Sequence, residues 1–127
     1  MENTIKIDDF AKVDIRIGTV IEATVPEWSH WVMKLTVDFG PAFAEATGGK
    51  STRTIFSGIM KFYKPEELVG KQFPFVINLE PKKIGPDREL SEGMLMAVST
   101  ATSEDDENAK PILFTLLEPA PNGSKVV

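Results

Sequence analysis

The chain has no cysteine and a single histidine among its 127 residues. Without cysteine there is no disulfide framework, and redox chemistry says nothing about compartment. A zinc site built on His30 would have to draw its other ligands from carboxylates and water, an unusual set for that metal. A Ser-His-Asp arrangement would also have to pass through His30, yet no serine sits in a nucleophile-elbow sequence. No apolar stretch approaches the roughly 20 residues needed to cross a bilayer. The start, Met1-Glu2-Asn3-Thr4-Ile5-Lys6, lacks the basic and apolar regions of a signal peptide. These absences lead us to expect a cytoplasmic protein with no membrane partner, no metal and no cofactor. No constellation for general acid–base or nucleophilic work is present, so an enzyme is not expected.

What is present suits one small folded unit, 1–127, with 42% hydrophobic residues to close a single core. The formal charge of -5 is unevenly spread. From Lys50 to Arg88 eight cations face four anions, a local +4, whereas the remainder has six cations against fifteen anions, or -9. Screening confines each charge to about 10 Å in ordinary salt, so an acidic protein can still offer one basic face to a nucleic acid.

The apolar pattern has a period of two over most of the chain, which predicts strands. Ile7 to Lys12 reads as one helical turn that Asp8 can cap. From Val13, one face of a first strand takes Val13, Ile15, Ile17, Thr19 and Ile21, and Gly18 within it suggests a bulge or bend. A second strand has Met33, Leu35, Val37 and Phe39 on one face. Gly40 to Thr52 reads as a loop and Arg53 to Phe56 as a third strand. Lys64 to Gly70 reads as a brief helix with Pro65 in its first turn. A fourth strand turns Phe73, Phe75, Ile77 and Leu79 inward, and Pro74 places part of it at an edge or bulge. Met94 to Val98 is a fifth strand. A small helix between the third and fourth strands, with no βαβ rhythm, predicts an all-β chain. Its expected architecture is a five-stranded OB-fold barrel with short helices and extra terminal strands.

Three motifs compete for chemical meaning. Ala44-Glu45-Ala46-Thr47-Gly48-Gly49-Lys50-Ser51 fits a relaxed phosphate-loop pattern, but a strand should precede it and a helix follow it. Here Pro41-Ala42-Phe43 precedes and the β-like Arg53-Thr54-Ile55-Phe56 follows, so a plain connection is expected. Glu104-Asp105-Asp106-Glu107 lacks the glycine and spacing of a calcium loop. Trp28 and Trp31 fall in the turn between the first two strands, where they can stack on bases or cover the barrel end or a subunit interface. The most informative stretch is Val76 to Gly85 with Ser91-Glu92-Gly93-Met94-Leu95. It joins an apolar strand to a paired-lysine loop and then to a second strand, presenting an amide, two cations and a hydroxyl at one barrel edge. Such groups suit a phosphate backbone with splayed bases.

Read together, several segments resemble the EMAP II-like tRNA-binding domain. They are Phe10 to Val20, Ser57-Gly58-Ile59, Tyr63 to Lys71, Asn78-Leu79-Glu80-Pro81-Lys82-Lys83-Ile84, Ser91-Glu92-Gly93-Met94 and Pro121 to Val126. That family occurs appended to methionyl-tRNA synthetase and to some phenylalanyl-tRNA synthetase β subunits. It also occurs as free-standing tRNA-binding and CsaA-like proteins. The resemblance implies an OB-fold, a homodimer built by segments near both termini, and recognition of tRNA by shape. It places Asn78, Lys82, Lys83, Ser91 and Met94 at the RNA-facing positions, with Arg53 and Lys71 on the same basic segment. A synthetase assisted in trans is an implied partner. The turn Pro26-Glu27-Trp28-Ser29-His30-Trp31 departs from the family's Pro-x-Ala-Asp-Lys-Leu and loses a cation, and together with Lys34-Leu35-Thr36-Val37-Asp38-Phe39-Gly40 it resembles the CsaA-like branch more closely. That branch implies the alternative function, a chaperone for unfolded or pre-secretory polypeptides, served by Trp28, Trp31 and the Pro41 to Gly49 loop. The link Gly85 to Leu90 is longer than the family's usual one.

Overall fold

Alternation is cleanest in Met33–Asp38, where Met33, Leu35 and Val37 are wholly inaccessible to solvent, and this segment is strand β2 of the computed structural model, which describes residues 3–127. β2 lies between β1 (Ile15–Thr24) and β3 (Thr52–Ser57), both antiparallel to it. β4 (Gln72–Val76) pairs with the other side of β1, and β7 (Met94–Leu95) pairs with β4. The order β3-β2-β1-β4-β7 is therefore one antiparallel sheet. It curls until its ends meet: Glu92 N–H donates to Thr54 O at 2.8 Å and Phe56 N–H to the Ser91 hydroxyl at 2.9 Å. The result is the expected all-β, OB-like architecture, a nearly closed five-stranded barrel. Its core holds Val20, Leu35, Val37, Phe39, Ile55, Phe75 and Leu95, with the Phe39 and Phe75 rings edge-on at 5.6 Å.

Short elements fill the gaps. They are α1 (Ile7–Phe10), α2 (Pro41–Thr47), α3 (Pro65–Leu68), the hairpin β5 (Lys82–Ile84) with β6 (Glu89–Ser91), and the pair β8 (Ala97–Val98) with β9 (Ile112–Leu113). The C-terminal segment supplies one extra edge. Val126 N–H donates to Ile15 O and Gly123 N–H to Ile17 O, so residues 123–126 run beside the half of β1 that β2 leaves open.

Several local expectations change. In β1 the core takes Val20, and Gly18 lies against Val37 and Phe39; a Cβ at Gly18 would sit 2.5 Å from Val37 Cγ1. The inward face is thus the one opposite to that expected, because Ile15, Ile17, Pro74 and Val76 are buried as a second apolar layer outside the core cluster. Val13 and Ile21 are exposed. The register shift falls between Val20 and Glu22, not at Gly18, whose role is close packing. Gly40 to Thr52 is not all loop. Pro41 begins α2, buried Phe43 packs 5.2 Å from Phe39, and Gly48 ends the helix at φ 67°. The phosphate-loop pattern therefore has its helix before its glycines rather than after them. Asp9, not Asp8, accepts the Lys6 N–H that opens α1. The fifth strand is split: Met96 N–H still bonds Pro74 O in the β4–β7 register, and Ala97 and Val98 then change partner to β9. Pro74 is tolerated between two partners because Ile17, opposite it, spends its own backbone groups on Gly123 and Ser124.

Candidate nucleic-acid interface

The paired lysines stand on a hairpin, not in an open loop. Lys82 pairs with Ser91 and Ile84 with Glu89, and successive residues of β5 point to opposite faces. Gly85, at φ 75°, begins the turn, and Trp28 lies so close over it that no side chain fits there. Half-buried Trp28 also meets Phe56 at 6.3 Å between ring centroids. Lys34 Nζ completes the docking through Glu89 Oε2 at 2.6 Å. The hairpin is therefore held against the β1–β2 turn by one aromatic contact and one ion pair.

Lys82, Ser91 and Met94 line one groove of about 440 Å³, together with Trp31, Leu79 and Glu80. Met94 is 48% exposed there, as is Leu79, which the strand pattern would turn inward. β4 ends at Val76, so by Leu79 the alternation no longer describes the backbone. Ser91 differs from its groove neighbours in being only 8% exposed; its hydroxyl accepts the Phe56 N–H and donates to Gly93 O. Lys83 is exposed and is not among the groove's lining residues.

Asn78 and Arg53 line a different cavity, with Arg16, Phe43 and Asn122. The Asn78 amide is used at both ends, accepting Asp14 N–H at 2.8 Å and donating to Lys12 O at 2.6 Å. Arg53 Nη1 donates to Ile77 O at 2.6 Å and to Glu92 O at 3.2 Å, and its guanidinium lies 4.8 Å over the Phe43 ring. Lys71 lines a third groove with Thr19, Gln72 and the 115–119 segment. The structure thus groups Lys82, Ser91 and Met94, sets Lys83 beside them, and separates Asn78 with Arg53, and Lys71.

Two acids interleaved with these cations are already engaged. Glu89 pairs with Lys34, and Glu92 accepts the Thr54 N–H through Oε1. Lys82 and Lys83 make no ion pair among the described residues. No group of acids and histidine that could hold a metal ion occurs among the described residues, and no helix there is long and apolar enough to cross a membrane.

Comparison with known proteins gives this geometry a context. The family described as "Putative tRNA binding domain" matches residues 15–125. A methionine–tRNA ligase of Cupriavidus necator is 44% identical over 117 residues, covering 92% of this chain and 15% of the ligase. The chain therefore spans about a seventh of that enzyme's length. Among solved structures, a MetRS-related protein from Pyrococcus horikoshii superposes with a TM-score of 0.80 at 34% identity, covering 98% of this chain and 99% of the other. The chaperone CsaA of Bacillus anthracis superposes with a TM-score of 0.78 at 26% identity, covering 98% and 100%. The chain belongs to the tRNA-binding domain family.

Proposed function

We propose that this chain binds folded tRNA without acting on it chemically, through the lysines that the β5–β6 hairpin presents on its two faces and the groove beside Lys82. One observation carries the reading. Two lysines without ion-pair partners among the described residues stand on a docked hairpin, and one of them shares a groove with exposed Met94 and Leu79. Lys82 and Lys83 meet phosphates; Met94 lies under a base or sugar. Asn78, Arg53 and Ser91 act mainly by holding the backbone that carries these groups, and Lys71 adds long-range attraction from another side. Recognition by shape follows, because backbone contacts carry no sequence information by themselves.

The ligase relative and the MetRS-related structure support a role in supplying tRNA affinity to a synthetase, in trans if the chain acts alone. A cytoplasmic homodimer accompanies this reading. Exposed Ile5, Ile7 and Phe10 near one terminus, and Phe114, Leu116 and Leu117 near the other, are apolar surface for a second copy.

The test is titration with bulk folded tRNA at several salt concentrations, for the wild type and the Lys82→Glu, Lys83→Glu variant. The variant is expected to bind at least about tenfold more weakly, with a salt slope shallower by about 2, one for each lost phosphate contact. Equal affinity of the two proteins would remove the site, and no wild-type binding at low salt would remove the function. The second reading, a CsaA-like hold on unfolded polypeptide, is favoured by the exposed Trp31, Leu79 and Met94. It predicts binding that persists or strengthens as salt rises.

A further inference from the structure

Trp31 is 56% exposed, a costly place for the largest apolar side chain unless something covers it. Its backbone is firmly built. The hydroxyl of buried Ser29 accepts the N–H groups of Trp31 and Val32 and donates to Val32 O, and Trp31 O accepts Met60 N–H. The indole extends past Gly58, where even an added Cβ would stay 3.8 Å from Cδ1. It forms a ridge shared by two grooves. One holds Lys82, Glu80 and Met94; the other holds Lys61, Glu107 and His30.

The geometry points to Trp31 as a stacking platform for one unpaired base of a bound RNA, an inference that rests on the tRNA reading above. Each groove carries one lysine and one glutamate, so neither is a phosphate clamp. A cation and an anion beside a flat apolar face match a nucleobase, which has a π-face and both acceptors and donors along its edge. An aliphatic peptide side chain would leave the lysine and glutamate of each groove without a polar partner. Lys82 borders the same groove, so the stacked base would be continuous with the phosphate contacts of the hairpin. The site therefore selects RNA with a base already free of its stack and disfavours uninterrupted duplex.

The experiment compares wild type, Trp31→Ala and Trp31→Phe in binding bulk folded tRNA and a blunt, fully paired RNA duplex. Trp31→Ala should lose about 5- to 150-fold in tRNA affinity, Trp31→Phe should keep most of it, and neither should change the salt slope, since no cation is removed. Thermal melting checks that both variants fold. In a Trp28→Phe background, tRNA should quench the remaining indole fluorescence and the duplex should not. Trp31→Ala binding tRNA as well as wild type does, with the lysine variant still impaired, overturns the stacking site alone. Equal quenching by the duplex also overturns it. Failure of the wild type to bind tRNA removes both readings, and quenching by a permanently unfolded polypeptide but not by tRNA assigns the ridge to peptide instead.

Discussion

Two stretches between Val76 and Met94 are neighbours in sequence and opposite in use. Around Asn78 and Ser91–Glu92 the polar groups are spent on the fold: the Asn78 amide binds two backbone groups, the Ser91 hydroxyl two more, and the Glu92 carboxylate a Thr54 amide. On the hairpin between them, Lys82 and Lys83 are exposed and make no ion pair among the described residues. A hydrogen-bonding group that loses its partner costs stability, most where it is buried as at Ser91, so the first stretch governs stability. The second is not spent on the fold, and in the proposed function it is the part that meets the ligand. Polar residues that look alike in a motif are thus divided by whether the backbone already occupies them.

The sharpest way to test this division is to remove the occupied groups one at a time. Ser91→Ala leaves the buried Phe56 N–H without an acceptor where β3 meets the barrel-closing segment, and should cost about 1–3 kcal/mol. Thermal melting should show a fall of several degrees, while tRNA affinity, measured where both proteins are folded, stays near the wild-type value. Asn78→Ala removes two hydrogen bonds at a more exposed place and should cost about 1–2 kcal/mol. The loss should appear as faster hydrogen exchange at Asp14 and Ile77, whose amides lie on either side of the clamp. If Asn78→Ala instead weakened tRNA binding as far as the double lysine variant does, with melting unchanged, the amide would belong to the ligand and the division would fail.

The barrel is legible where its strands alternate: Met33 to Phe39 behaves as a period of two demands, and Phe73, Phe75 and Ile77 reach the core although Pro74 and Val76 between them are buried as well. It was misread where both faces are covered. Ile15 and Ile17 look like core, yet the core cluster takes Val20 from the opposite face, with Gly18 against Val37 and Phe39, while Ile15 and Ile17 are buried outside that cluster and residues 123–126 pair along the edge of β1. Pattern cannot show a segment over 100 residues away lying on a strand. The α2 helix was hidden by Gly48-Gly49, which end it rather than describe it. For the candidate site, the paired lysines stand out by charge and spacing, whereas Met94 enters only through the family resemblance. Which polar residues are consumed internally depends on long-range hydrogen bonds, such as Ser91 to Phe56, that local sequence does not encode.

The smallest expected effect separates tethering from charge in the hairpin. Lys34 and Glu89 meet at 2.6 Å, but their side chains are 35% and 43% exposed, so breaking the pair should change stability by no more than about 0.5 kcal/mol. Trp28 over Gly85 still holds the hairpin by its turn. Lys34→Ala would release a carboxylate on the hairpin that carries Lys82 and Lys83, whereas Glu89→Ala would remove one. If charge dominates, tRNA affinity at low salt should fall about twofold in the first, rise about twofold in the second and return to wild type in the double variant, with all three differences shrinking as salt rises. If the bridge matters as a tether, both single variants should weaken binding alike and the double variant should not recover. The charge outcome is expected because Trp28 over Gly85 already fixes the hairpin; on the proposed reading, the ion pair then serves to keep Glu89 from competing with phosphate.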